Sequence, residues 1–177
     1  MARCQPARHH QVKINLTNEY QAMSEKQQAA PQFNIQKLYT KDISFESPNA
    51  PEIFASAEFK PEINVQINTS NKKLGDVSYE AVLTLTITAK QGDKTAYLVE
   101  VHQAGVFDIS GFDETTMAGM LGAFCPETLF PYAREAISDL VTKGGFPQLL
   151  LQPINFNALY QQQLQQQQGA AAQDAAH

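Results

Sequence analysis

From Phe33 to His102 the apolar residues recur mostly at every second position, the period of a strand with one buried face. In the first run Phe33, Ile35, Tyr39, Ile43 and Phe45 share one side. Asn34, Gln36, Thr40, Asp42, Ser44 and Glu46 take the other, with Leu38 out of step. Ser47-Pro48-Asn49-Ala50-Pro51 breaks the pattern, and a loop with Ile53, Phe54 and Phe59 follows. Pro61 opens the second run, a place where a missing N–H is tolerated. There Ile63, Val65 and Ile67 oppose Glu62, Asn64, Gln66 and Asn68. The third run, Val77 to Ala89, sets Val77, Tyr79, Ala81, Leu83, Leu85 and Ile87 against Ser78, Glu80, Val82, Thr84, Thr86 and Thr88. A short turn at Gln91-Gly92-Asp93-Lys94 leads to the fourth, with Tyr97, Val99 and Val101 opposite Leu98, Glu100 and His102. Four such runs with short links predict an antiparallel sheet, one face packed and one wet.

The period then changes. Cys125-Pro126-Glu127 reads as a helix start, with proline at an early position and an acid near the positive end. Leu129, Ala133, Ala136, Ile137, Leu140 and Val141 form one apolar stripe, and Lys143-Gly144-Gly145 stops it. Pro131 predicts a kinked first turn or a later start. Phe146 to Pro153 reads as an extended crossing. A second helix begins near Asn157, carrying Leu159, Tyr160 and Leu164 through a glutamine run. Strands first and helices after predict an α+β domain: a four-stranded antiparallel sheet with one long helix on one face and a shorter C-terminal helix. One helix cannot cover four strands, so apolar surface is left for an oligomer contact, a binding groove, or both.

The ends read differently. Met1 to Ala22 holds Arg3, Arg8 and Lys13 against one acid, Glu19, and reads as an over-extended start or a disordered arm. Without it the chain carries two more negative charges than the −5 of the full 177 residues. Residues 23–32 read as a flexible N-terminal segment, 33–168 as the folded domain, and 169–177 as a disordered tail. Met23 is a second candidate start. Met1 to Ala22 has no apolar core of a secretory signal, and no run is long enough for a membrane helix. The acidic balance argues against a nucleic-acid partner. Two cysteines, Cys4 and Cys125, make neither a disulfide framework nor a metal site.

The wet face gathers Glu62, Glu80 and Glu100 from successive strands, with Asp42 and Glu46 from the first and Leu98 among them. It is either a solvated face or an acidic docking surface for a basic partner, and the apolar Leu98 favours docking. Catalytic motifs are missing: Lys143 is followed by Gly144 rather than Ser or Thr, and no nucleophile elbow occurs. Cys125 reads as a buried thiol, with His102 on the opposite face of the sheet. The chain is read as no enzyme, with no cofactor and no metal.

Two long stretches carry a resemblance: Tyr39-Thr40-Lys41-Asp42-Ile43-Ser44-Phe45-Glu46-Ser47-Pro48-Asn49-Ala50-Pro51, and Gly122 to Glu135 with its Phe124-Cys125-Pro126-Glu127-Thr128-Leu129-Phe130-Pro131 centre. Phe146-Pro147-Gln148-Leu149 and Pro153-Ile154-Asn155-Phe156 add to it. On these, residues 33–168 resemble the SecB family of bacterial protein-export chaperones. The resemblance implies a cytoplasmic homotetramer, a dimer of dimers, acting as an ATP-independent holdase for unfolded precursor proteins. It implies delivery to the translocation ATPase SecA, docked on Asp42, Glu46, Leu98 and Glu100. It implies a client groove at Phe45, Phe54, Phe59, Ile63, Val65 and Ile67, for which plain core packing is the competing reading. Val99, Val101, Ile137 and Leu140 are expected near the oligomer interface. The family's C-terminal tail also meets the motor; here that tail is Ala- and Gln-rich with one acid, Asp174. Two other readings stay open: an acidic scaffold or adaptor for one folded partner, and a small hydrolase using Cys125.

Overall fold

A computed structural model describes residues 30–55 and 58–174, with side chains described through residue 168. The expectations for residues 1–29 and 175–177 lie outside these residues. The chain runs β1 (Gln32–Glu46), a 3-10 turn (Glu52–Ala55), β2 (Glu62–Lys73), β3 (Ser78–Gln91), β4 (Lys94–Ser110), α1 (Glu114–Gly119), a π turn (Met120–Phe124), α2 (Cys125–Lys143) and α3 (Phe156–Asp174). The strands form one antiparallel sheet in the order β1-β4-β3-β2, as the alternation predicts.

β4 is longer than expected. Gln103-Ala104-Gly105 interrupts the alternation, yet the strand continues to Ser110. Gly105 lets the Phe107 ring and Leu38 close over the backbone, where a Cβ would stand 2.7 Å from the ring. β1 holds two register shifts, between Ile35 and Lys37 and between Thr40 and Asp42. Each bulge exchanges the faces. Leu38 thereby turns inward against the core, and Tyr39, read as inward, turns out to meet Glu80. Asp42 follows both bulges and returns to the parity of β4.

The long helix starts earlier than the stripe predicts. Asp113 caps it, accepting from Thr116 N at 2.9 Å and from Thr116 Oγ1 at 2.6 Å. The π turn sits where Pro126 has no N–H to return to Gly122, and a wider turn absorbs that missing bond. α2 then passes through Pro131, whose ring is exposed, without stopping. Leu129, Ala133, Ile137 and Val141 lie on the inner face of the sheet, against Leu83, Leu85, Ile87, Val99, Val101 and Phe107. α3 extends through Gly169 to Asp174, further than the expected order, because Ala170–Ala172 are strong helix formers. No described helix is long and apolar enough to cross a membrane.

Candidate functional site

The inner face carries an aromatic cluster centred on Phe146. Its ring centroid lies 4.9 Å from Tyr97, 5.0 Å from Phe54, 5.3 Å from Phe59 and 6.4 Å from Phe45. The segments that meet here are held in place by polar bonds. Ser47 Oγ donates to Ala96 O and Asn49 Nδ2 donates to Thr95 O, each at 2.9 Å, tying the loop after β1 to the start of β4. Lys60 N donates to Gln91 Oε1 at 3.0 Å, and Gln91 Nε2 donates to Glu58 O at 3.1 Å, fixing the approach to β2. Phe45 stacks on Tyr97 at 6.0 Å and lies on Gly144, where any Cβ would overlap its ring. Ile53 anchors the 3-10 turn in the core, while the next residue, Phe54, remains 49% exposed. Phe146 is buried and is the hub; with Tyr97 it is missing from the sequence-derived groove. Its only signal was the Gly-Gly-Phe-Pro run after α2.

The same face continues along β2. Ile63, Val65 and Ile67 stand opposite Ala89, Ile87 and Leu85 of β3, so all three point to the packed side. α2 packs over β3 and β4 and leaves this edge row partly open: Ile63 and Ile67 are half-buried and Val65 is 38% exposed. At the Ile67 end α3 crosses, and a cleft of about 320 Å³ opens between Ile67, Thr69, Phe156, Leu159 and Tyr160. The interface expectation fares differently. Val99, Val101 and Ile137 are 0% exposed in the single chain, because α2 closes over β4 there. They present no surface to another subunit; Leu140 is half-buried at the border of the core.

The outer face is polar. Asp42 stands beside His102, Ser44 beside Glu100 and Glu46 beside Leu98 across β1 and β4. Asp42, Glu46, Leu98 and Glu100 therefore share one patch. Thr86 Oγ1 donates to Glu100 Oε2 at 2.6 Å, and His102 Nε2 lies 2.9 Å from Glu100 Oε1. These two bonds, Thr86 first, hold the Glu100 carboxyl below the usual range. Glu80 departs from the acidic reading. It accepts from Tyr39 Oη and from Lys41 Nζ, the latter at 2.9 Å, with Lys72 opposite in register. These contacts lower its pKa, Tyr39 first and then Lys41, and its side chain is only 13% exposed. Glu62 stands opposite Lys90. The acidic surface is thus narrower than the parity of the strands suggests, and lies over β1 and β4.

Neither face assembles a nucleophile. Cys125 is fully buried, and burial pushes its thiol up to about 12. His102 is across the sheet from it. No group of three or more potential metal ligands occurs among the described residues.

The family model for SecB, described as preprotein translocase subunit SecB, matches residues 26–167. The protein-export protein SecB of Nitrosococcus oceani is 55% identical over 158 residues, spanning 89% of this chain and 96% of that protein. The protein of the same name in Marinobacter nauticus is 52% identical over 160 residues, with 86% and 96% covered. That of Alkalilimnicola ehrlichii is 54% identical over 145 residues, with 82% and 77% covered. Among solved structures, a SecB-like chaperone of Mycobacterium tuberculosis, in complex with an antitoxin peptide, superposes with a TM-score of 0.57. It is 16% identical, covering 69% of this chain and 90% of that one, and the likeness is one of fold.

Proposed function

Because the chain belongs to the SecB family of protein-export chaperones, we propose that it is an ATP-independent holdase of the bacterial cytoplasm. It binds unfolded secretory precursors in apolar grooves, keeps them translocation-competent and delivers them to the SecA translocation ATPase. The observation that carries this reading is the open aromatic cluster, with Phe54 half exposed over Phe146 and the β2 row beside it. Folded proteins hide such surface; unfolded precursors expose its complement. Each apolar contact is favourable by about 25 cal/mol per Å² covered and reads no particular sequence, so clients are many. The groove residues are Phe45, Phe54, Phe59, Ile63, Val65 and Ile67, with Tyr97 and Phe146 as their support. In a homotetramer, a dimer of dimers, several grooves act on one long client, and effective concentration turns weak contacts into avidity.

SecA docks on the outer face, at Asp42, Glu46, Leu98 and Glu100. Three carboxylates on a rigid sheet attract a basic partner surface over a Debye length of about 8 Å, and Leu98 adds apolar contact. Client and motor then occupy opposite faces of one sheet, so neither has to leave before the other arrives.

The test is light scattering from a chemically denatured precursor diluted into buffer. The chain without ATP should suppress aggregation at a stoichiometric ratio. Unchanged scattering, with the protein folded by circular dichroism, rejects the holdase reading.

A further inference from the structure

Glu100 is tied into the outer face from two directions. Thr86 of β3 is its register partner, and His102 lies two residues along β4, on the same side of the sheet. Thr86 Oγ1 reaches Oε2 at 2.6 Å across the strands, and His102 Nε2 reaches Oε1 at 2.9 Å along the strand. One such bond leaves a carboxylate free to turn about it; two, on different oxygens, fix its plane. An ionised carboxylate only accepts, so the proton of the His102 contact sits on Nε2. β3 lies between β4 and β2, and Thr86 is half-buried and stiff at χ1, which makes its hydroxyl a fixed donor. The Glu100 side chain is nonetheless 38% exposed. A carboxylate offers about four acceptor sites, so those the sheet does not use remain for an incoming donor. Asp42 is held differently: its Oδ1 accepts from Ile43 N, the next residue of its own strand, at 2.9 Å.

We propose that Thr86 and His102 are positioning residues for motor docking: together they hold the Glu100 carboxylate in place for a lysine or arginine of SecA. The proposal rests on the docking reading above and narrows it from a patch of charge to one oriented group. A glutamate free on a surface must have its side-chain torsions ordered when a partner arrives, and that ordering subtracts from affinity. Here the sheet orders the side chain in the free protein. Removing the Thr86 hydroxyl leaves the carboxylate, and so its charge, on the docking face. The long-range attraction that sets the association rate should therefore persist, and the loss should fall on dissociation.

The test follows SecA binding to the full chain by stopped-flow fluorescence, in Thr86→Val, Thr86→Ser, His102→Leu and Glu100→Ala. Valine keeps the shape of threonine without its hydroxyl; serine keeps the hydroxyl. Thr86→Val and His102→Leu should each speed dissociation by roughly 2- to 10-fold, with the association rate within twofold of the wild type. Thr86→Ser should dissociate like the wild type. In a Glu100→Ala background Thr86→Val should have no further effect, because it acts through that carboxylate. Precursor affinity within twofold is the control for folding, and if the valine variant fails it, His102→Leu decides. An unchanged dissociation rate in either folded variant overturns the paired positioning role. So does a serine variant that dissociates as fast as the valine variant, or a Thr86→Val effect that persists without Glu100. All three leave the docking reading standing, provided Glu100→Ala alone weakens the complex. A Glu100→Ala chain that binds SecA as tightly as the wild type overturns docking at Glu100 and the positioning role with it.

Discussion

Truncating Phe54 to alanine should weaken client binding while the fold survives. Phe54 is 49% exposed, and among the described residues its ring meets Phe146 at 5.0 Å. A phenylalanine offers on the order of 200 Å² of surface, so about 100 Å² of this one is open to a client. At 25 cal/mol per Å² full cover contributes at most about 2.5 kcal/mol, roughly sixtyfold in affinity. Cover of half that area leaves roughly eightfold. The cost to the fold is of the same order: the covered half contributes at most about 2.5 kcal/mol by the same measure, and the ring pair at the rim of the cluster about 1 kcal/mol more. Phe54→Ala should therefore weaken binding of an unfolded, fluorescently labelled precursor by about 8- to 60-fold per site. Its melting temperature should fall by roughly 10 °C with the transition still cooperative. Affinity unchanged within twofold, with the fold intact, would show that Phe54 contacts no client. A collapse of the melting transition would instead place Phe54 in the structural core, against its exposure.

Val65→Arg sets a charge in the half-open β2 row; precursor affinity should fall while the circular dichroism spectrum stays native, and global unfolding would return Val65 to the core. Glu100→Lys should weaken SecA binding by isothermal titration and leave precursor binding within twofold, and added salt should weaken the wild-type motor complex more than the client complex. Equal loss of both activities would refute the two-face arrangement. Val101→Arg forces an unpaired charge beneath α2 at a cost of several kcal/mol, comparable to the whole stability of a small domain, so cooperative unfolding should be lost together with assembly. A well-folded smaller oligomer by sedimentation would put Val101 at a subunit contact instead. Thr86→Val removes the leading bond to the Glu100 carboxylate, so the Glu100 pKa should rise toward 4.5 in a carboxyl ¹³C titration. A depressed carboxyl pKa stabilises the fold above the unfolded value and loses that contribution as pH falls through the folded one. The wild type should therefore retain the Glu100 contribution to lower pH than the variant.

Periodicity was enough for the sheet, because a strand with one buried face must alternate whatever surrounds it. That is why Asp42, Glu46, Leu98 and Glu100 could be put on one face from sequence: β4 keeps its parity from Tyr97 to His102, and Asp42 and Glu46 follow both bulges of β1. The α2 stripe was legible for the same reason, and Cys125 could be assigned to the core because a thiol without a nearby base has no other use. The family was legible in two uninterrupted stretches. Bulges were not, since one extra residue changes the face of its neighbours without any local composition signal; Leu38 out of step was their only trace, and Tyr39 was misplaced by it. Charge pairing was equally hidden. Glu80 counts as an acid in any sequence sum, but the first and second strands bring Tyr39, Lys41 and Lys72 to it across the sheet. Phe146 and Val101 make the complementary point about burial. One follows a glycine pair and reads as linker, the other sits on a strand expected at an interface. Only the closing of α2 over β4, and of the loop aromatics around the end of that helix, decides which becomes the hub of an open cluster and which disappears into the core.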